Sequence, residues 1–431
     1  MFLRAARWVT DKYILLMLGV FPLFVGFRLH AYTAVTEAKY HFFVYATAAW
    51  LAAVIVLLAI GAIRKEKYHV KPRPAHLCMA AFLLIGAVSA AASAYGPEIT
   101  LLGADRYDGY LTTVLYGAGF FGVSFLAVPR RRYAWALGVS TAVCCGIAAL
   151  QLGGFDPFWL YPEGLRYYDK YEALSAPFLG TIGNSGLLAA YLCLSAPLLT
   201  VFAVLSEKRE DTFLLLPGAL ALAILALCDV DAGITALLGC ALVTVPMVIR
   251  RRRAARIAAG VSGGAVLAGL GVLYFWPGKS GTLWEFSQVL HGRLSDEFGS
   301  HRGQIWKQSW ERFLEKPWLG SGPGTAAERL DIRWSRYIES LQRERTVVVG
   351  NTHNVYLGHL VTVGVFGALA YCGAAVCSLI TWFRRRTDGA LFPALGSAFL
   401  CYMIQDFFSI GLCLTTPMLW IVWGLLESAD S

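Results

Sequence analysis

The segment Gly350-Asn351-Thr352-His353-Asn354 opens directly onto an apolar run that continues to Phe383. An imidazole at such a boundary has an ordinary pKa of about 6.5 and is largely unprotonated near neutrality. His353 can therefore take a proton from an attacking hydroxyl, or it can simply hydrogen-bond the end of a helix. Upstream, Arg302 begins a stretch in which Ile305, Trp306, Trp310, Phe313 and Leu314 recur at helical spacing. Farther on, Arg329, Arg333 and Arg336 fall at i, i+4 and i+7 of a second expected helix, from about Thr325 to Glu344, and would share one face. Guanidinium donates two parallel hydrogen bonds and keeps its charge, which suits a phosphate. The same face could equally bind anionic lipid headgroups while tryptophans anchor the helices at a membrane surface. Asp406 follows Gln405 near the end of a late apolar run. A charge at the centre of a spanning helix costs about 2.5–3.5 kcal/mol, so Asp406 must face protein or water, and it is a second choice for the base.

Other polar groups collect at the same ends of apolar runs. Arg106 lies in Gly103-Ala104-Asp105-Arg106-Tyr107-Asp108-Gly109, and Asn184 in Gly180-Thr181-Ile182-Gly183-Asn184-Ser185-Gly186. Asp229 and Asp231 cap a tight turn between two runs. Asn351 and Asn354 flank the histidine. Asp229-x-Asp231 is the one conceivable metal pair. The segment Arg28–Tyr40 has a single acid, Glu37, and the ten cysteines all fall within or at the ends of apolar runs, without Cys-x-x-Cys spacing. No metal or cofactor is expected.

Positioning these groups falls to a hydrophobic chain. Of 431 residues, 57% are hydrophobic and 15% charged, with a mean hydropathy of +0.56. Soluble domains carry about 25% charged residues, so a soluble enzyme is excluded, as is a disordered chain. Many runs reach or approach the roughly 20 residues that cross a bilayer. They predict an all-α polytopic membrane protein with about twelve transmembrane helices: 13–27, 41–63, 77–94, 110–128, 134–152, 187–205, 212–228, 232–249, 257–276, 353–383, 391–409 and 415–426. The first run lacks a cleavage site and reads as a retained span. Short loops on one side hold 21 lysines and arginines, against 5 on the other. That bias puts both termini in the cytoplasm and accounts for much of the net charge of +9 without nucleic acid. Residues 1–431 form a single integral membrane domain. Within it, 277–352 is a large, arginine-rich extracytoplasmic loop of helical character, broken by Pro317 and the turn Gly320–Gly324.

Several of these stretches resemble the O-antigen ligase and polymerase superfamily of bacterial membrane glycosyltransferases. Arg302-x3-Trp306 followed by Pro317-Trp318-Leu319-Gly320-Ser321-Gly322-Pro323-Gly324 is similar to the opening of its shared region, here 302–426. Asn351-Thr352-His353-Asn354-x2-Leu357-x2-Leu360-x3-Gly364-x2-Gly367 resembles its histidine helix. The elements around Gly103, Gly180 and Gln405-Asp406-Phe407-Phe408 stand in the matching order. The resemblance implies a GT-C-like fold in the bacterial cytoplasmic (inner) membrane with its site on the extracytoplasmic side. It implies transfer of a glycan from undecaprenyl diphosphate to an acceptor hydroxyl on a lipid, a glycan or a protein. That chemistry needs no nucleotide sugar or metal, and a single displacement would invert the anomeric centre. His353 and Arg302 take the family's histidine and one of its arginines. Where many members carry Ser-Arg, this chain has Asp231-Ala232-Gly233. Arg106, Arg293 or the Arg329–Arg336 face would then have to hold the diphosphate. The alternative is a transporter or flippase of a polar lipid, which predicts inverted repeats and charges at mid-membrane; the missing arginine also leaves room for an inactive scaffold.

Overall fold

In lipid a backbone amide has no water to bond, so apolar runs of this length must satisfy their own backbone as helices. In the computed structural model, which describes residues 1–26, 32–68, 70–104, 106–157, 178–338 and 343–428, they do so. Among the described residues nine helices are long and apolar enough to cross a membrane, and two shorter apolar ones, Tyr110–Leu126 and Thr416–Leu426, pack on each other. The chain is thus a polytopic helical membrane protein. The first expected span is a composite instead: a cationic α-helix Phe2–Leu15, then a π turn and a 3-10 turn that ends at Leu23 after Pro22. The second helix begins at Tyr32, earlier than expected. Lys39, counted among loop cations, lies buried in it and donates to the carbonyls of Phe21 and Pro22 at 2.9 Å each. It thereby satisfies acceptors that the N-terminal element leaves open at its end. The aromatic segment 158–177 and residues 27–31 lie outside the described residues.

Ser185–Leu205 is the central helix, buried over most of its length and packed against Leu391–Gln405. At the other extreme, Arg252–Tyr274 has no buried residue. A cluster of buried aromatics, with Trp420, Trp423, Tyr371, Phe120 and Phe399 among them, fills the space between helices Tyr110–Leu126, Val355–Arg385, Leu391–Gln405 and Thr416–Leu426.

The glycine-rich loop after Pro317 is built into the membrane domain. Helix Val355–Arg385 breaks at Gly364, at φ 68° and ψ −174°. The freed carbonyls of Val361 and Thr362 accept from the N–H groups of Ser321 (3.1 Å) and Gly322 (2.8 Å), and Val365 N–H donates to the Pro317 carbonyl at 2.8 Å. Ser89 completes the set, its hydroxyl within 2.6 Å of the Leu319 carbonyl and 2.9 Å of the Thr362 carbonyl. Irregular backbone inside a membrane domain is tolerated where protein partners take up the freed groups, as these bonds do. The fit demands glycine: a Cβ on Gly320 (φ +67°) would lie 2.4 Å from the Thr362 carbonyl carbon. Gly320→Ala should therefore destabilise the fold by about 2–5 kcal/mol through left-handed strain plus overpacking. Thermal unfolding of the purified protein in detergent measures this. Gly260→Ala, on a face with open space, should not lower the midpoint.

The long loop is only partly helical. Phe298–Glu315 is a helix, but the expected second helix over 325–344 is a correction. A single turn, Ala326–Arg329, gives way to strands Arg333–Ile338 and Arg343–Val348. These pair antiparallel, Arg333 opposite Val348 and Ile338 opposite Arg343. Trp334, Tyr337, Ile338, Thr346, Val347 and Val348 favour strands, and pairing overrode the helical spacing of the arginines. In a strand alternate residues share a face, so a spacing of three or four residues no longer defines one common face here. Ile305, Ile332 and Val349 make a small core that fastens the hairpin to helix Phe298–Glu315.

Candidate functional site

The hairpin's second strand delivers the chain to Gly350 and then to His353, and this fixes where the imidazole stands. His353 has a left-handed backbone, φ 46°, and its N–H donates to Asn351 Oδ1 at 3.1 Å. Asn354 then caps helix Val355–Arg385, its side chain accepting from Leu357 N–H at 2.9 Å. The asparagines thus hold the turn from which the histidine projects. It projects into a cavity of about 460 Å³ that is also lined by Arg106, Arg302 and Asn184, a size that suits a drug-sized polar ligand.

Each of these groups is placed by its own local structure. Arg302 follows three consecutive left-handed residues, Gly299, Ser300 and His301. Its Nε and Nη2 donate to the Phe408 carbonyl at 3.3 and 3.1 Å, and its Nη1 to the Gly299 carbonyl. Three of the five guanidinium N–H donors are thereby committed, which leaves two for a ligand. Arg106 packs against the other side: a Cβ on Gly350 would lie 3.7 Å from both its Nε and its Nη2. Asn184 caps helix Ser185–Leu205 by accepting from Leu187 N–H at 3.0 Å. Among the described residues, non-glycine left-handed conformations occur at Lys65, Tyr107, Asp229, Ser300, His301 and His353. All but Lys65 line the cavity or adjoin a residue that does. Backbone strain persists where the surrounding fold imposes it, and it clusters at working sites.

Fixed positive charge lines this cavity. The first turns of helices Ser185–Leu205 and Asp231–Val248 contribute to it, and the turn before Val355–Arg385 supplies His353. Helix N-termini present free N–H groups and partial positive charge. Burial, then Arg302, then Arg106 press the His353 pKa down to about 3, which favours the neutral imidazole. Burial also lowers Arg302, with Asp231 opposing the shift. Carboxylates line the same cavity: Asp229, Asp231 and Glu285, with Asp231 accepting from the Thr282 hydroxyl at 2.8 Å and Glu285 from Gly299 N–H at 2.9 Å. Among the described residues no group of three histidines, cysteines or carboxylates is placed to hold a metal ion.

The remaining expected site residues lie elsewhere. Asp406 and Asn351 line a second, adjoining cavity rather than the one with His353. Asn354 is buried as a cap. Arg293 is exposed in the turn after helix Thr282–Leu290. Arg329 is ion-paired with Glu315, and Arg333, mostly exposed, lies 3.3 Å from Asp331. The Arg336 backbone pairs with Arg345 in the hairpin. Among the described residues, Arg106 and Arg302 are the arginines that line this cavity. Sequence reasoning overlooked Glu285 and the Phe408 carbonyl. Glu285 had a signal, since it is the next acid after Asp231; a backbone carbonyl has none.

The polytopic helical bundle gathers a histidine and two arginines in one cavity. Residues 216–372 match the family model described as O-antigen ligase, which supports the likeness to that superfamily. The match contains Arg302 and His353. No curated protein matches the chain.

Proposed function

We propose that this cavity transfers a glycan from undecaprenyl diphosphate to an acceptor hydroxyl. The observation that carries the reading is the convergence of His353, Arg302 and Arg106 at helix N-termini in one cavity. The diphosphate lies against the helix N-termini, Arg106 and the two free N–H groups of Arg302. The unprotonated His353 accepts the proton of the acceptor hydroxyl as its oxygen attacks the anomeric carbon. The bonding pair of the carbon–oxygen bond leaves with undecaprenyl diphosphate. The charge that develops there is met by groups already in place, which lowers the barrier more than it tightens ground-state binding. One displacement inverts the anomeric centre. Fixed guanidinium charge takes the place that a metal ion has in many phosphate sites. The carboxylates of Asp229, Asp231 and Glu285 accept from sugar hydroxyls. In this reading the fold is of the GT-C type, both termini are cytoplasmic, and the cavity opens at the outer face of the bacterial cytoplasmic membrane.

The test is to supply the purified protein with undecaprenyl-diphosphate-linked glycan and candidate acceptors. Release of undecaprenyl diphosphate together with a glycosylated acceptor is the expected result. Movement of the intact glycolipid across a vesicle membrane without cleavage would replace this reading with the flippase.

A further inference from the structure

Beside the histidine cavity, and sharing Ser409 and Ile410 with it as a wall, lies a second cavity of about 150 Å³. It runs from Asp108 and Asn351 at the rim down to Trp420 and Tyr371 within the bundle. On the scale where one water needs 10–15 Å³, it has room for roughly ten waters, comparable with a single pyranose ring. Its lining is mostly apolar, yet four residues that line it carry a buried polar side-chain atom with no hydrogen-bond partner in the protein: Asp406 Oδ1, Thr112 Oγ1, Asn351 Nδ2 and Thr416 Oγ1. Each of these residues is more than nine-tenths buried. Native interiors rarely leave one such atom unsatisfied, and each carries a desolvation penalty. Four residues of this kind on one cavity, one of them a carboxylate, mark a place for a ligand that supplies both donors and acceptors. Trp420, stacked with Tyr116 at 5.7 Å, adds an aromatic surface, and sugar rings present apolar C–H faces along with their hydroxyls. Asn351 joins the two cavities: its Oδ1 accepts from the His353 backbone N–H, and the residue lines the second.

We propose that the second cavity is a subsite for one uncharged, hydroxyl-bearing sugar ring, held by Asp406, Thr112 and Asn351 beside the aromatic face of Trp420. The inference rests on the transfer reading for its role: the ring belongs either to the donor glycan or to the acceptor.

Binding is measured without turnover, on the full chain in nanodiscs titrated with p-nitrophenyl β-D-glucopyranoside and galactopyranoside, whose nitrophenyl group quenches tryptophan. Saturable quenching is expected, lost in Trp420→Phe, and weakened about tenfold or more by both Thr112→Val and Asp406→Asn. Arg333→Ala, at an exposed side chain outside both cavity linings, should bind as the parent does. Equal saturation by p-nitroanisole, which lacks the sugar, or unchanged affinity in Thr112→Val and Asp406→Asn, would overturn the subsite. In the transfer assay Thr112→Val should raise KM for one substrate, and which one identifies the ring's source; no change in either overturns the role. Glycoside binding without transfer from any donor would count against the transfer reading and leave the subsite standing.

Discussion

His353→Ala should lower the release of undecaprenyl diphosphate by roughly 10²–10⁴-fold, the usual contribution of a positioned acid–base group, with little change in donor KM. The side chain touches the reacting hydroxyl only as the proton moves, so its loss falls on kcat. The pH profile gives an independent check. Burial and two neighbouring arginines hold His353 at about 3. The base form is then fully present from pH 5 to 8. Because kcat/KM reports the free enzyme, it should stay flat through pH 6.5, where an ordinary histidine would lose activity on acidification. In the complex the diphosphate offsets the arginine charge, so any acid limb in kcat must sit at higher pH than in kcat/KM. The linkage has the same sign. Below pH 6.5 the unfolded chain takes up a proton that folded His353 refuses, so this group lowers stability as pH falls from about 6.5 toward 3. An acid limb of kcat/KM centred near 6.5 would place the imidazole in solvent and remove it from the proposed mechanism.

Arg302→Lys should be nearly as severe, a loss of about 10²–10³-fold in kcat, comparable with removing a preorganised donor from an oxyanion site. Charge alone does not do this side chain's work. Arg302 bonds two carbonyls, those of Phe408 and Gly299, and still offers two N–H groups. An ammonium has three donors without a fixed fork, so it either abandons the Phe408 carbonyl or fails to reach the ligand. Arg333→Lys is the matched control. Arg333 is mostly exposed, lies 3.3 Å from Asp331 outside the cavity lining, and should keep transfer within about twofold, the scale of a surface ion pair. Equal losses in the two variants would mean that the loop's overall charge, rather than the Arg302 geometry, matters.

Much of this was legible in the sequence because bilayer solvation is a strong filter. A chain this apolar has to bury or pair its backbone in helices, and their approximate positions follow from run length and hydropathy. The polar groups at run ends, Arg106, Asn184, Asp231 and His353, also declared themselves, since each is costly unless it meets a polar cavity. The first span resisted the same reading: Pro22 and the cationic start Arg4, Arg7 and Lys12 divide it into three short pieces. The arginine stripe at 329–336 misled for a local reason. Spacing of 3–4 residues describes one helix face only if a helix forms, and the neighbouring aromatic and β-branched residues paired as strands instead.

The sequence alone determined that this protein is a helical membrane protein, and it named the histidine and arginine that a phosphate-handling site would use. Tertiary structure decided which of the many arginines meet. Arg106 and Arg302 are about 200 residues apart in the chain, and no periodicity encodes their shared cavity. It also separated Asp406 from His353 and seated the Pro317–Gly324 loop in the break at Gly364. Those outcomes depend on backbone hydrogen bonds and close packing between distant segments, which hydropathy, a local property, does not record.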